Sequence, residues 1–495
     1  MTEEKKYMTT EQAVDYVYAS YLKAEPHLEY AASDSNKRNP LLSKNIIEML
    51  WERNKIPTAL VTGSKGKGSV AKMIATVMGA HRKVGLMTSP HILRFNERFQ
   101  VAGEPISDEV LAVAISAVKQ EFDKVESMLS EKEYISPMGI QAAAALEAFL
   151  GASVEFQVLE CGKGVAYDDV NNVPHSYAVI NRIFLEHTRE LGATLKEIAE
   201  NKAAIMTGNK NLKQESIAAE ELSEVKTAVE KIFCESSGQM DNIKNTSKLP
   251  GHVAFTSEQS PEVMQVLEQR AAKTGWELRS FGRDFWCENI TYTTQGMMFD
   301  VVTKKHRYEG ICIPLLGTYQ AENCALAIAL CEEELGECLN IEAAKEALKW
   351  MEWPGRLEIL SANPVMLLDA CINRASCANV LEALQQLGIS KVRTIIGIPA
   401  DKDYQGVAEA MAPVSAQIIL TKSTNAHYKF GPEQTGTLNE LGITAQWTEG
   451  IREALELARL GDSNLESVEE LPIVILGTTS LISDVKELAG TPMPL

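Results

Sequence analysis

Apolar positions along the chain fall into two alternating patterns. Short apolar-rich stretches occur at 59–61, 83–87, 156–159, 177–180, 251–255, 365–369, 393–397, 417–420 and 472–477, the length of buried strands. Residues 10–25, 41–53, 70–78, 107–126, 136–150, 194–206, 260–274, 318–335 and 341–350 instead repeat apolar side chains at helical spacing. Strands alternating with helices predict an α/β fold with mostly parallel sheets, because parallel neighbours need a crossover between them. Residues 285–313 alternate strand-like around Thr294-Gln295-Gly296 and predict a hairpin. Residues 31–40 read as a polar loop. Residues 208–250, rich in Lys, Glu, Ser and Asn with one helical segment near 216–233, read as an exposed insertion. Trp353-Pro354-Gly355-Arg356 breaks the pattern. It marks the expected boundary between a unit at 1–352 and a smaller α/β unit at 353–495.

The most informative stretch is 58–71, Thr-Ala-Leu-Val-Thr-Gly-Ser-Lys-Gly-Lys-Gly-Ser-Val-Ala. A strand enters a loop of Gly and Lys (Gly63, Ser64, Lys65, Gly66, Lys67, Gly68, Ser69), and the loop opens onto a helix. This is the layout of a phosphate cradle, in which backbone N–H groups, a helix N-terminus and a lysine meet an anion. A glycine-rich turn with solvated lysines is the plainer alternative. The usual phosphate loop places a Ser or Thr directly after Gly-Lys, for its hydroxyl to meet Mg²⁺. Here that place is Gly68. Either Ser69 turns back, or another segment supplies the hydroxyl.

Two strand ends offer partners. The strand at 83–87 ends near Ser89, a candidate for the missing hydroxyl, although Ser-Pro is also a common turn. The strand at 156–159 leads into Glu160, which fits a metal-holding carboxylate or a strand-ending surface Glu equally well. His187 is open between metal ligand, phosphate contact and structural histidine. Lys202 lies on the helix at 194–206. Asp369 and the Asp401-Lys402-Asp403 loop fall beyond strand ends of the second unit, where ligands of parallel sheets gather.

Composition narrows the class. The 495 residues are 45% hydrophobic and 23% charged, and allow two or three domains with large cores. A net charge of −19 argues against a general nucleic-acid or membrane-surface binder. Nine cysteines without a C-x-x-C pair predict free thiols in a reduced, cytoplasmic protein. The start of the chain lacks the apolar core of a signal peptide, and no stretch of membrane-spanning length is free of charge.

The motifs together resemble those of folylpolyglutamate synthases and dihydrofolate synthases, a branch of the Mur ligase superfamily. The resemblance runs through Gly63–Ser69, Ser89-Pro90-His91, Arg94-Phe95-Asn96-Glu97-Arg98 and Gly103-Glu104-Pro105-Ile106-Ser107. It continues through Leu159-Glu160-Cys161-Gly162, His187-Thr188, Glu200-Asn201-Lys202-Ala203, Gly317-Thr318-Tyr319-Gln320 with Asn323, Trp353–Arg356 and Asp401-Lys402-Asp403. It implies a phosphate-loop ATPase domain followed by a smaller Rossmann-like ligase domain, acting as a monomer. ATP would phosphorylate a small-molecule carboxylate, and an amino group, usually that of glutamate, would displace phosphate to form an amide. By this resemblance Lys67 and the loop hold ATP, and Ser89 and Glu160 hold one Mg²⁺. His187 and a carbamylated Lys202 serve a second, and Asn323, Arg356 and Asp369 lie at the nucleotide.

Several positions depart from the family pattern. Ile372 replaces a histidine after Asp369, Ala166 replaces an arginine, Glu186 precedes His187 where the family has Asp, and Tyr319 replaces a histidine before Gln320. These leave three readings: a folate-type ligase, a ligase for a different acid, or a nucleotide-binding pseudoenzyme. Retention of Lys67, Ser89, Glu160, His187 and Lys202 together disfavours the last.

Overall fold

Five residues, Thr58–Thr62, form strand β1, and every one of them is buried. Leu60 packs on one face with the N-terminal helices, while Ala59 and Val61 pack on the other. Burial on both faces is what a parallel sheet covered by helices requires, and it explains the unbroken apolar run. The computed structural model describes residues 7–29, 32–53, 55–207, 252–336, 339–425, 429–460 and 471–490. The insertion expected at 208–250, with its helix near 216–233, lies outside the described residues.

β1 sits inside an eight-stranded sheet. Its neighbours are β2 (Val84–Met87), β3 (Phe99–Val101), β4 (Glu104–Pro105), β5 (Phe156–Glu160), β6 (Tyr177–Ile180), β7 (Val253–Thr256) and β8 (Glu277–Ser280). The order is β4-β3-β2-β5-β1-β6-β7-β8. β2 through β8 run parallel, except that β3 and β4 fold back antiparallel at one edge. The crossover helices begin where the sequence places caps. Thr194 accepts the Glu197 N–H at 3.2 Å while Glu197 accepts the Thr194 N–H at 2.9 Å, a reciprocal cap on Leu195–Ala203.

The expected hairpin is one strand larger. β9 (Phe285–Thr293), β10 (Gly296–Thr303) and β11 (Arg307–Ile313) form an antiparallel sheet, with the third strand following a turn at Lys304-Lys305-His306. Helix Thr318–Leu335 then packs beside the phosphate-loop helix Lys67–Gly79 in one continuous core. The polar stretch at 31–40 holds one short helix, Asp34–Lys37.

A second sheet is made of β12 (Glu358–Ala362), β13 (Val365–Asp369), β14 (Val392–Gly397), β15 (Ser415–Thr421), β16 (Gln446–Thr448) and β17 (Ile473–Gly477). Its order is β12-β13-β17-β14-β15-β16, parallel except for β12. The chain between the sheets passes over the phosphate loop, with Trp353 against Gly68. Among the described residues no helix is long and apolar enough to cross a membrane.

Candidate active site

Strand register places the site. β5 lies between β2 and β1, with Leu159 opposite Met87 and Glu160 opposite Val61. The carboxyl ends of three adjacent strands therefore deliver Ser89, Glu160 and the phosphate loop to one point. β6, on the other side of β1, delivers Asn181 and the segment leading to Glu186 and His187.

The phosphate loop is held from below. Gly66 has φ 76°, the left-handed region, and a Cβ there would lie 2.5 Å from Asn181 Nδ2. Both facts require glycine. Asn181 Nδ2 in turn donates to Asn323 Oδ1 at 2.8 Å, and Asn323 Nδ2 donates to Gln320 Oε1 at 3.0 Å. Ser64 Oγ donates to the Phe184 carbonyl at 3.2 Å and accepts its N–H at 3.1 Å, tying the loop to the segment after β6. No side chain caps helix Lys67–Gly79, so its first-turn N–H groups are left for an anion. Lys67 Nζ folds back to the Gly63 carbonyl at 3.0 Å.

The anomaly at Gly68 has a steric cause. A Cβ at this position would lie 2.8 Å from Trp353 Cζ2 and 3.3 Å from Glu160 Oε2. No hydroxyl-bearing side chain fits between them without moving one. Ser89 meets the same carboxylate oxygen, donating its N–H to Glu160 Oε2 at 3.1 Å. Burial pushes the Glu160 carboxyl pKa up, against the pull of Lys67, the Ser89 N–H, Arg356 and Arg98. Glu160 is thus a buried acid with cations around it and little water, and a further positive ligand would favour its ionised form.

Lys202 lies fully buried beneath this point. Its ammonium donates to the Lys163 carbonyl at 2.7 Å and the Gly63 carbonyl at 3.0 Å, and pairs with Glu186 Oε1 at 3.1 Å. Burial and the neighbouring Lys67 charge lower its pKa to about 8, despite Glu186. His187, at φ 45°, is turned outward with Nε2 3.9 Å from Glu186 Oε2. Partial burial holds its imidazole below the ordinary value.

The segment leading into the second sheet contributes Arg356, and β13 ends on Asp369. Arg356 Nη1 donates to the Gly355 carbonyl at 3.0 Å, and Asp369 Oδ2 accepts the Leu357 N–H at 2.8 Å. Burial raises the Asp369 carboxyl to about 6, while Arg356, the Leu357 N–H and Lys65 draw it down. Lys65 is exposed, with its ammonium 5.8 Å from the Phe184 ring centroid.

A cleft of ≈ 1160 Å³ opens over these groups. Ser64, Gly66, Lys67, Gly68, Ser69, Ser89, Glu160, His187 and Arg356 line it. Gly63, Lys65, Lys202, Asn323 and Asp369 are not among its lining residues. The residues that sequence reasoning left unassigned are Asn181 under the loop, Trp353 over it and Lys72 along its helix. Asn181 ends an apolar strand, as Glu160 does, and that position was the available signal.

The family model of the Mur ligase middle domain matches residues 61–331, more than half of the chain. The chain belongs to the Mur ligase family. The ligase is 27% identical over 436 residues to the folylpolyglutamate synthase of Lacticaseibacillus casei, covering 86% of this chain and 88% of that one. It is 28% identical over 372 residues to the dihydrofolate synthase/folylpolyglutamate synthase of Bacillus subtilis, covering 74% and 76%. Among solved structures, a complex of folylpolyglutamate synthase with AMPPCP and folate matches with TM-score 0.72 and 25% identity, over 97% of this chain and 100% of that one. The Mycobacterium tuberculosis folylpolyglutamate synthase with ADP and AMPPCP matches with TM-score 0.73 and 23% identity, over 96% and 99%. The α/β architecture and the resemblance to the folylpolyglutamate synthase family hold, and so does the expectation of an ATP-dependent carbon–nitrogen ligase.

Proposed function

We propose that this ligase uses ATP to activate a carboxylate of a folate-type acid and joins it to the amino group of glutamate. A carboxylate oxygen attacks the γ-phosphorus, the bond to the β-phosphate oxygen breaks, and ADP leaves. The amine then attacks the acyl carbon, phosphate departs with the electron pair of the C–O bond, and the amine loses its proton. Lys67 and the free N–H groups of the first helical turn hold the phosphates in this reading, with Asn323, Arg356 and Asp369 on the nucleotide side. Two domains, 1–352 and 353–495, would close over the acyl phosphate and keep water from it.

The observation that carries the reading is that Glu160, which accepts the Ser89 N–H at 3.1 Å, lies directly beside Gly68 of the phosphate loop. The donor chemistry fits Mg²⁺, a hard cation that takes one or two carboxylates together with phosphate and water oxygens. Among the described residues no three His, Cys, Asp or Glu side chains converge as a metal cluster, and a Mg²⁺ held largely by phosphate needs none. Glu160 and Ser89 would hold this ion, which neutralises phosphate charge when bound. His187, Glu186 and a carbamate on Lys202 would hold a second; the unmodified ammonium of Lys202 has no lone pair to offer. Cytoplasm is the compartment we assign, in keeping with free thiols at all seven described cysteines.

A panel assay tests the reading. Purified protein with ATP, Mg²⁺, glutamate and a folate should release phosphate, and omission of either substrate should stop it. Release with a different acid but with no folate would favour the second reading, an amide ligase for another carboxylate. The replacements at Ala166 and Ile372 are what motivate that alternative.

A further inference from the structure

We propose that Asn181 is a positioning residue for the triphosphate: its amide, oriented by one backbone N–H, turns the N–H side of Asn323 toward the phosphate loop. The inference rests on the nucleotide-binding part of the reading above, and it gives a role to a residue that does not line the cleft.

Asn181 follows β6, is buried, and donates its own N–H to the Thr62 carbonyl at 2.8 Å. The phosphate loop rests on it at two glycines. A Cβ at Gly63 would lie 2.8 Å from Asn181 Cβ, and a Cβ at Gly66 2.5 Å from Asn181 Nδ2. Packing of this kind would accept the amide either way round. Hydrogen bonding does not.

Asn181 Oδ1 accepts the Arg182 N–H at 2.8 Å. A backbone N–H can only donate, so the oxygen takes this side and Nδ2 takes the other. Nδ2 then needs an acceptor, and Asn323 Oδ1 supplies it at 2.8 Å. With its oxygen so placed, Asn323 directs Nδ2 to Gln320 Oε1 at 3.0 Å. That nitrogen carries a second hydrogen, and it lies 3.5 Å from the Cβ position of Gly66. The relay ends at Gln320. Its Nε2 is buried with the Tyr319 hydroxyl beside it but, among the described residues, no acceptor in hydrogen-bond geometry. Reversing the relay would pair this nitrogen with Asn323 Oδ1, and would set the Asn181 NH₂ group against the Arg182 N–H. One backbone donor therefore decides which way three buried amides face.

An anion in the loop senses that direction. N–H groups behind Gly66 add positive potential to the free N–H groups of the first helical turn, and a carbonyl oxygen in their place would subtract from it. Away from water the difference is larger than at a surface. Asn181 touches no phosphate in this arrangement and acts through Asn323 and Gly66.

Titration calorimetry of AMPPCP with Mg²⁺ into the full-length protein at pH 8 reads the effect, and denaturant melts report folding. Asn181→Ala removes the donor and leaves Asn323 free to turn over. It should bind AMPPCP about 3- to 10-fold more weakly, the size of a neutral hydrogen bond. Asn181→Asp can only accept from Asn323 and so fixes the wrong edge toward the loop. It should bind about 10- to 100-fold more weakly than wild type. Asn181→Ala/Gln320→Glu separates orientation from packing and charge. A carboxylate at position 320 can only accept, so it holds Asn323 Nδ2 as the wild type does. The double variant should recover part of the Asn181→Ala loss although it brings a negative charge nearer the phosphates. Charge repulsion alone would deepen the loss, and packing at Asn181 would leave it unrepaired. Wild-type affinity in Asn181→Ala, or a double variant no tighter than Asn181→Ala, would overturn the proposal. Should the double variant fail to fold, Asn181→Asp binding no more weakly than Asn181→Ala would overturn it instead. Amide formation on the wild-type protein reads the ligase separately. The expected order of AMPPCP affinities without amide product would refute the ligase reading and leave the Asn181 assignment standing, whereas no AMPPCP binding by the wild type would overturn the assignment itself.

Discussion

Gly68 is where the chain departs from the ordinary phosphate loop, and it gives the sharpest mutational test. A Cβ there would lie 2.8 Å from Trp353 Cζ2 and 3.3 Å from Glu160 Oε2. The indole is rigid, so relief requires moving the 350–356 segment, and overpacking of this kind costs about 1–3 kcal/mol. Alanine in place of helical glycine returns up to about 1 kcal/mol, less so near a helix end, so stability should fall by no more than about 2 kcal/mol. Activity should fall further, because the Glu160 carboxylate and the loop over it are both displaced. A loss of about 1.4–2.7 kcal/mol of transition-state stabilisation corresponds to a 10- to 100-fold drop in kcat/KM. Gly68→Ala and Gly68→Ser should behave alike, since volume and not the hydroxyl is at issue. Trp353→Leu in the Gly68→Ala background should recover part of the loss, with a coupling of about 1–2 kcal/mol in the double-mutant cycle. Steady-state ATP turnover and denaturant melts read both quantities. Wild-type turnover in Gly68→Ser alongside an impaired Gly68→Ala would show that a hydroxyl at this position serves the site, and the steric account would fail. Wild-type turnover in both would show that Trp353 yields freely.

Two further outcomes follow from the same geometry. Lys67→Ala should abolish ATP turnover while leaving the melting curve nearly unchanged, because among the described residues its ammonium makes one hydrogen bond, to the Gly63 carbonyl at 3.0 Å; unchanged turnover would refute the phosphate-loop reading. Asp369→Asn should stabilise the protein at pH 7 and weaken ATP binding. Its carboxyl is raised from 3.8 to about 6, a cost of roughly 3 kcal/mol for the ionised form. The folded state holds this proton more tightly than the unfolded state, so the cost is absent below about pH 4, grows through the window to 6 and is complete above it. The stability difference between wild type and Asp369→Asn should therefore change across that window in melts taken at several pH values. A difference that is flat with pH would show that Asp369 is not the group titrating there.

The interior strands were legible because a parallel sheet covered on both faces leaves no polar side of the strand to interrupt the run. β1, β5, β6 and β17 are buried at every position. The strands that sequence reasoning did not anticipate are mostly edges. β4 and β8 end the first sheet, and β12 and β16 end the second. Edge strands meet solvent and carry charge, as Glu277 and Arg279 do in β8, and so lose the apolar signature. The candidate site was legible to the same extent and for the same reason. Gly63–Ser69, Ser89 and Glu160 all follow apolar strands, where chain order reveals position. The contact of Trp353 with Gly68, the seat of Asn181 under Gly66 and the pairing of Lys202 with Glu186 join segments distant in sequence. No local pattern encodes such contacts.

The central claim is that ATP cleavage on this chain is coupled to making one amide bond. The direct measurement is the mass of the acid product alongside ADP, with purified protein, ATP, Mg²⁺, glutamate and folate. The account predicts a folate heavier by a single glutamyl residue for each ADP formed, and neither product without glutamate. ADP formed at the same rate with and without glutamate, with no mass gain in the acid, would contradict it.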